Sequence, residues 1–408
     1  MNYKLIAIIL LVIVHLYKLA LLFINLRSEK NPIPENVKDV YDSETYEKWR
    51  TYHAEKNRFE IVSSTASFVV SLVLLACNVY SAFAKLFPDE IFMQTFAVIL
   101  LVSLSSLADI PFEWHDKMGI EQKYGFNKST AKTFWADQIK TFLITLIIMT
   151  GIGSLLFGLH LTFGDWLIPA FAIIMTLFLL LVAFLFPFFS RIFNKFTPLE
   201  EGELRDKLTA LLEKNGYKVR AINVMDASRR STKSNAYFSG FGKMKTIVLY
   251  DTLIASQSPD EICAVFAHEL GHGLHKDTLK NQILTFLQMA VLAVFAWYTL
   301  RTLGIFTDFG FAGVNYGFAL VLIMGVEFPF ISPLYGLVGN YFSRRAEYAA
   351  DAHAVKEGYG GQLISALKTL SKENYSNIAP SPLIVKLEYS HPTLSQRITA
   401  IETGKKGV

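Results

Sequence analysis

The chain of 408 residues has few charged residues and few cysteines. Asp, Glu, Lys and Arg together make up 18% of the sequence, whereas ordinary soluble domains carry roughly 25%. Apolar residues make up 52%, and the mean hydropathy is positive at +0.34. This composition argues against a simple water-soluble protein. The two cysteines, Cys77 and Cys263, are too few for a disulfide framework, so we expect both to be free thiols.

Four further features are absent, and two of these absences lead to a prediction. The net charge is only +4 and no basic stripe is interleaved with aromatic residues, so we expect no nucleic-acid partner. The sequence has no internal repeat and no low-complexity segment. The apolar run from Leu5 to Leu26, broken only by His15 and Lys18, lacks a small-residue cleavage site. It therefore predicts a retained membrane helix rather than a signal peptide.

Long apolar stretches dominate the rest of the chain. A helix that crosses a bilayer needs about 20 mostly apolar residues. A single such stretch can also be a buried core helix, but seven in one chain leave little room for that interpretation. We therefore predict a mainly α, polytopic integral membrane protein with about seven transmembrane helices. These lie at residues 4–26, 62–87, 91–112, 141–162, 166–189, 283–303 and 314–340.

The distribution of Lys and Arg predicts the orientation. Loops 27–60 and 113–140 hold seven and five of these residues, whereas the connections on the opposite side hold at most one each. Because positive charge accumulates on the cytoplasmic side, both loops should be cytosolic and the N-terminus should lie outside. The membrane would be the bacterial cell membrane or the endoplasmic reticulum, depending on the source. The predicted segments are membrane helices in 1–190, a cytosolic segment in 191–282, membrane helices in 283–340 and a cytosolic C-terminal segment in 341–408.

The two polar segments predict a small cytosolic α+β domain. Thr197-Pro198 is typical of a helix start, with proline at the first helical position. Gly216 is typical of the residue that ends such a helix. Alternating apolar residues predict short strands at 218–225 and 245–250. Between these strands, residues 235–241 carry little charge and predict an edge strand.

The strongest chemical signal is the pentapeptide His268-Glu269-Leu270-Gly271-His272. It follows a capping box that begins at Ser258, which predicts that the pentapeptide is helical. Positions i and i+4 share one helix face, so His268 and His272 can bind one zinc ion. Glu269 can then take a proton from a water whose pKa the zinc lowers, as a general base in peptide hydrolysis.

A third protein ligand is needed, because a catalytic zinc usually has three. A histidine at position 278 would complete another metalloprotease pattern, but that residue is Thr278. His275 is too close on the same helix to complete a tetrahedron easily, and Glu327 lies in an apolar span, far in depth from a cytosolic site. Glu347 follows the seventh span on the cytosolic side and is the best candidate. Asp351, four residues later, can orient a ligand histidine through its ring N–H.

Other segments complete a pattern that resembles the type I CAAX prenyl protease family of membrane-integrated zinc proteases. The resemblance covers nearly the whole chain, with the metal helix between spans five and six and Glu347 after span seven. Its further motifs are Glu121 to Lys128, Asn235-Ala236-Tyr237, and His391-Pro392 with Arg397.

The resemblance implies an architecture and a set of roles. Seven helices would enclose a large intramembrane chamber, with the zinc site at its cytosolic end. By this resemblance, one zinc ion per chain is bound by His268, His272 and Glu347. Glu269 would act as the catalytic base, His391 would stabilise the oxyanion, and Asp351 and Arg397 would support the ligands. The substrate would pair as an added strand with Asn235, Ala236 and Tyr237. By its spacing alone, however, His391 before a proline is more typical of a loop residue.

Three functions compete at this point. The first is removal of the C-terminal tripeptide from prenylated C-a-a-X proteins or peptides, with membrane lipid as a further contact. The second is quality-control proteolysis of membrane proteins. The third is a transporter with a structural zinc site, which the intramembrane charges Lys18 and Glu327 favour. A structural site would have four protein ligands and no use for Glu269, and no inverted repeat is present. The sequence leaves the natural substrate and the roles of Lys18, Glu327 and His275 open.

Overall fold

The computed structural model describes residues 1–239, 244–275 and 277–404. The N-terminal half consists of helices joined by short turns. Its α-helices are α1 Tyr3–Arg27, α2 Ser43–Ala76, α3 Val79–Ala84, α4 Ile91–Ser105, α5 Ile110–Trp114, α6 Ala131–Phe163 and α7 Leu167–Phe193. Short 3-10 turns lie at Ser28–Lys30, Glu35–Val37, Ser106–Asp109 and Gly164–Trp166, and a π-helical turn lies at His115–Glu121.

Strands and shorter helices follow, between and after the last membrane helices. In chain order they are β1 Phe196–Pro198, α8 Glu203–Lys214, β2 Lys218–Met225, a 3-10 turn Ala227–Arg229, β3 Ala236–Ser239, β4 Met244–Tyr250, α9 Asp251–Ser256 and α10 Pro259–Leu274. The C-terminal part contains α11 Asp277–Arg301, α12 Leu303–Asp308, α13 Tyr316–Leu322, a π-helical turn Ile323–Glu327, α14 Phe328–Lys356, α15 Gly360–Glu373, α16 Pro382–Glu388 and α17 Leu394–Thr403.

The predicted polytopic membrane fold is confirmed. Among the described residues, six helical segments are long and apolar enough to cross a membrane, and they coincide with six of the seven predicted spans. The remaining span, 166–189, corresponds to α7. Large apolar side chains point away from the protein on these helices, such as Ile147, which is 70% exposed, and Leu161, which is 67% exposed. A lipid-facing surface explains this exposure, because hydrocarbon carries no penalty for contact with such side chains.

The polar part is the predicted α+β unit, built around a four-stranded sheet with the order β1-β2-β4-β3. Strands β2 and β4 are parallel, and β3 pairs antiparallel with β4 at the edge of the sheet. The strands predicted at 218–225 and 245–250 are confirmed. The predicted edge strand 235–241 corresponds to β3, although residues 240 and 241 lie outside the described residues.

One predicted helix start is wrong. Thr197-Pro198 belongs to strand β1, which pairs antiparallel with the end of β2, Phe196 opposite Met225. A proline at the end of an edge strand loses no ladder hydrogen bond, so the extended backbone accommodates it. The helix begins instead at Glu203, after Gly202, and still ends just before Gly216, whose φ of 78° suits glycine.

Helices α10 and α14 cross at close range and position the candidate site. Gly271 of α10 makes the close approach possible, because a Cβ at this position would lie 2.7 Å from the Cα of Ala350. The rest of α10 is anchored in a core that includes Phe266 and Ile247, both fully buried. Burial of each such side chain contributes roughly 1.5–3 kcal/mol, so the helix is held firmly against the sheet.

Candidate metal centre

Helix α10 presents the two histidines of the predicted motif on one face. Its first turn carries the predicted capping box, in which Ser258 accepts a hydrogen bond from the backbone of Glu261 and the Glu261 carboxylate accepts one from the backbone of Ser258. This cap satisfies backbone donors that the helix would otherwise leave unpaired. His268 is buried, whereas His272 is half-buried and lines a cavity.

Glu347 of α14 lies directly opposite the two imidazoles. Its carboxylate oxygens are 3.4 Å from His268 Nε2 and 3.2 Å from His272 Nε2. The ligand atoms of the three residues all lie within 4.8 Å of one another. Glu347 is 3% exposed, and its Oε2 has no hydrogen-bond partner. Two imidazole nitrogens and one carboxylate are a donor set that can hold a metal ion.

Asp351 and Arg397 support the first histidine from behind. His268 Nδ1 lies 2.8 Å from Asp351 Oδ1, which fixes the ring so that Nε2 faces Glu347. Arg397, on α17, donates to both Asp351 oxygens at 2.6 and 2.9 Å. Its other terminal nitrogen lies 3.5 Å from Glu347 Oε2. The guanidinium thus offsets the charge of two carboxylates that burial would otherwise make costly.

Asp277 plays the matching part for the second histidine, and the sequence prediction missed it. His272 Nδ1 lies 3.1 Å from Asp277 Oδ2, and Lys280 donates to the other carboxylate oxygen at 2.9 Å. Burial alone raises the pKa of Asp277, but Lys280 and His272 outweigh burial and hold it below its ordinary value. The signal in the sequence was an acidic residue in the first turn of the helix after the motif, five positions beyond His272.

His391 reaches the same carboxylate from the C-terminal segment. Its Nε2 lies 3.2 Å from Glu347 Oε1, and its Nδ1 contacts the Ser390 hydroxyl at 2.9 Å. Arg344 of α14, which the sequence prediction also left without a role, donates to the carbonyls of Val385 and Tyr389 at 3.1 and 2.7 Å. These bonds tie the chain before His391 to the helix that carries Glu347, so the imidazole is held over the site.

A cavity of about 650 Å³ opens beside this cluster. Glu269, the residue between the two histidines in the motif, lines it together with Asn235 and Ala236 at the start of the edge strand. The backbone of Tyr237 continues β3, opposite Val248. The predicted base and the predicted substrate strand therefore face the same space.

Three residues with open roles lie apart from the cluster. His275 is exposed at the end of α10. Glu327 accepts a hydrogen bond from Thr299 at 2.8 Å. Glu327 precedes Glu347 by 20 residues, which corresponds to about 30 Å along a helix. Lys18 pairs with Glu60 at 2.6 Å. None of the three belongs to the group of metal-ligating atoms found among the described residues.

Comparisons with known proteins show the family to which the chain is similar. Residues 23–195 match a family described as CAAX prenyl protease N-terminal, five membrane helices, and residues 198–405 match peptidase family M48. The first match contains four of the predicted spans, 62–87, 91–112, 141–162 and 166–189, and begins at the end of the span 4–26. CAAX prenyl protease 1 of Saccharomyces cerevisiae is 33% identical, with 91% of this chain and 88% of that protein covered. The homologue of Arabidopsis thaliana is 34% identical, over 91% and 90% of the two chains.

A solved structure shares the fold over the whole length. The crystal structure of S. mikatae Ste24p superposes with a TM-score of 0.89 at 30% sequence identity, and 98% of this chain and 99% of that chain are covered. The M48 match spans the two histidines, Glu347 and the C-terminal segment that brings Arg397 and His391 to them. The chain therefore belongs to peptidase family M48 and is a membrane-integrated metalloprotease of the CAAX prenyl protease type, which acts on peptide or protein substrates.

Proposed function

We propose that this protease binds one zinc ion through His268, His272 and Glu347. Ligand atoms at the usual zinc distances and at tetrahedral angles are separated by roughly 3.3–3.5 Å. The separations of 3.2 and 3.4 Å between the imidazole nitrogens and the carboxylate oxygens support this set. Glu347 Oε2 is buried and accepts no hydrogen bond, which leaves it available to bind the ion. A zinc ion bound there supplies Lewis-acid polarisation of the scissile carbonyl and of the attacking water.

The side chains around the ligands divide the remaining work of peptide hydrolysis. Glu269 takes the proton of the attacking water and passes it to the leaving amine. His391 donates a hydrogen bond to the carbonyl oxygen as that oxygen gains negative charge. Asp351 and Arg397 hold the His268 ring in position while negative charge develops on the substrate. The single observation that carries this assignment is that Glu269, His391 and Arg397 line one cavity together with the three proposed ligands.

The edge strand β3 aligns the peptide. Its partner β4 occupies one side of it, and in the described sheet its other side is free. A peptide can therefore pair with Asn235, Ala236 and Tyr237 as an additional strand, with main-chain hydrogen bonds that do not depend on sequence. Pairing at this position directs the scissile bond toward Glu269 and the metal ligands.

The substrate we propose is a protein or peptide with a prenylated C-terminal C-a-a-X sequence, cut between the cysteine and the first aliphatic residue. The number of membrane helices is the structural reason for proposing a lipidated substrate. An active site that only needed an anchor at the membrane surface would need fewer helices. Burial of a prenyl chain contributes roughly 0.8 kcal/mol per methylene, so the lipid can supply much of the binding. The Lys/Arg asymmetry of loops 27–60 and 113–140 supports an active site that faces the cytosol.

The test compares two peptides that differ only in the lipid. Purified enzyme in detergent is given a farnesylated C-a-a-X peptide and its unprenylated twin, and products are sized by mass spectrometry. We expect release of the tripeptide and much faster cleavage of the farnesylated peptide. Glu269→Gln should abolish cleavage of both while the protein retains its zinc, because the substitution removes a proton acceptor and no ligand.

Each other outcome has a definite meaning. Equal rates for the two peptides would refute lipid recognition and favour quality-control proteolysis of membrane proteins. A Glu269→Gln variant with normal activity would remove the general base from the mechanism. Loss of zinc in Glu347→Ala is expected, and full zinc and activity in that variant would refute the third ligand.

A further inference from the structure

The imidazole of His391 is exposed, and its use at the site depends on which ring nitrogen carries the proton. Its side chain is 61% exposed, whereas His268 is buried. A neutral imidazole donates from one ring nitrogen and accepts at the other, and an exposed ring can exchange the two or turn into solvent. The role proposed above requires an N–H at Nε2 that points at the carbonyl oxygen of the substrate. The ring therefore needs a contact that holds both its tautomer and its orientation.

Two contacts select this tautomer of the neutral ring. His391 Nε2 lies 3.2 Å from Glu347 Oε1, and an ionised carboxylate only accepts hydrogen bonds, so Nε2 is the donor. Nδ1 is then the acceptor. The Ser390 hydroxyl lies 2.9 Å from Nδ1 and can donate to it. Within the part of the chain that the structure describes, this hydroxyl is the one hydrogen-bond partner of Nδ1.

The backbone on both sides of this pair is anchored. The carbonyl of Tyr389 accepts a hydrogen bond from helix α14 at 2.7 Å. Pro392 follows His391 directly, and a residue before proline is restricted to extended backbone conformations. Thr393 then caps α17 through its side chain. Because the chain is held before and after the pair, the Ser390 hydroxyl stays within reach of the imidazole.

We propose that Ser390 is a positioning residue whose hydroxyl donates to His391 Nδ1, keeps the proton on Nε2 and directs that N–H at the substrate oxygen. This inference rests on the proposed function, because it takes over the role given there to His391. The substrate oxygen becomes negative only as the water attacks the carbonyl. A group that acts on this charge contributes to the transition state and not to substrate binding, so the effect of Ser390 belongs in kcat.

The test measures kcat and KM for the farnesylated C-a-a-X peptide with purified protein in detergent. Ser390→Ala should lower kcat by roughly two- to tenfold, the range of one neutral hydrogen bond, and leave KM and zinc content nearly unchanged. Ser390→Thr, which retains a hydroxyl, should keep most of the wild-type kcat. Ser395→Ala is the matched control, because that hydroxyl donates to Asn36 at 2.7 Å and neither residue lines the cavity. It should leave both constants unchanged.

A double-mutant cycle shows whether Ser390 acts through His391. His391→Ala should lower kcat by more than Ser390→Ala does, because it removes the donor itself. Ser390→Ala combined with His391→Ala should lower kcat no further than His391→Ala alone. Independent losses that multiply in the double variant would show that Ser390 works without the imidazole, and would overturn the proposal.

The remaining outcomes separate this inference from the proposed function. Wild-type kcat in Ser390→Ala, or a loss that appears only in KM, would overturn the inference and leave the proposed function intact. Loss of bound zinc in that variant would indicate a structural role and would also overturn the inference. Wild-type kcat in His391→Ala would remove the oxyanion role of His391 and this inference with it. A wild-type enzyme that does not cut the peptide would overturn both.

Discussion

Gly271 lies between the two histidines of the motif and carries no functional group, yet we expect its replacement by alanine to disrupt the metal centre. An added Cβ would lie 2.7 Å from the Cα of Ala350 and 3.0 Å from the Cβ of His353. Non-bonded carbons prefer separations of roughly 3.5–4.0 Å. The nearest atom is backbone, so no side chain can rotate out of the way, and α10 and α14 must move apart.

The required movement is comparable with the dimensions of the site. Relief of the contact needs a displacement of about 1 Å between the two helices that carry the proposed metal ligands. The His272 to Glu347 separation is 3.2 Å, so a shift of this size removes Glu347 from the positions that one ion can bridge. Overpacking of this kind costs about 1–3 kcal/mol in folding free energy. The loss of zinc affinity should be larger than this decrease in folding free energy alone would cause.

The assay measures zinc content and thermal unfolding of the purified Gly271→Ala variant in detergent. We expect a lower unfolding temperature and substoichiometric zinc. Gly361→Ala is the matched control, because a Cβ there meets no atom within 4 Å and the glycine is also helical. Alanine should stabilise that helix by up to about 1 kcal/mol. A Gly271→Ala protein with wild-type zinc content and unfolding temperature would refute the packing argument.

Two further predictions concern the histidine support and the orientation. Asp277→Ala should weaken zinc binding by roughly 10–100-fold, measured by competition with a chelator, because His272 loses the carboxylate that orients it; unchanged affinity would show that the contact at 3.1 Å is dispensable. Single cysteines at positions 45, 130 and 380, in a chain without Cys77 and Cys263, should react with an impermeant thiol reagent only after the cytosolic face is opened, whereas those at 88 and 308 should react from outside. Labelling of position 130 in sealed cells would contradict the orientation.

The membrane helices and the motif helix could be predicted from the sequence because their signals are local. Hydropathy over 20 residues defines a span, and the spacing of His268 and His272 defines a helix face. The capping box at Ser258 predicted the correct start of α10, since its hydrogen bonds involve residues only three positions apart. The start predicted at Thr197-Pro198 failed because pairing with β2, almost 30 residues later in sequence, decided the backbone there.

The support around the metal ligands depends on contacts that sequence spacing does not reveal. Arg397 donates to Asp351 across 46 residues, and Arg344 reaches Tyr389 across 45. Asp277 is near His272 in sequence, but the break between α10 and α11 turns its carboxylate back toward the imidazole. The order of acidic and basic residues along the chain does not reveal which of them form ion pairs. The geometry of crossing helices decides that, and here it depends on the close approach at Gly271.

The residues that lead into β3 are hydrogen-bonded to the membrane half of the chain. Lys128 N–H donates to the Arg230 carbonyl at 3.0 Å, Thr232 N–H donates to Phe126, and Asn127 forms an antiparallel bridge with Ser231. These bonds connect the turn before α6 to the residues that lead into β3. The same turn follows the helical segment Ile91–Glu121, which is long and apolar enough to cross a membrane. In the function that we propose, the membrane helices hold the lipid and β3 pairs with the peptide, so this connection would set the distance between the prenylated cysteine and the proposed metal ligands.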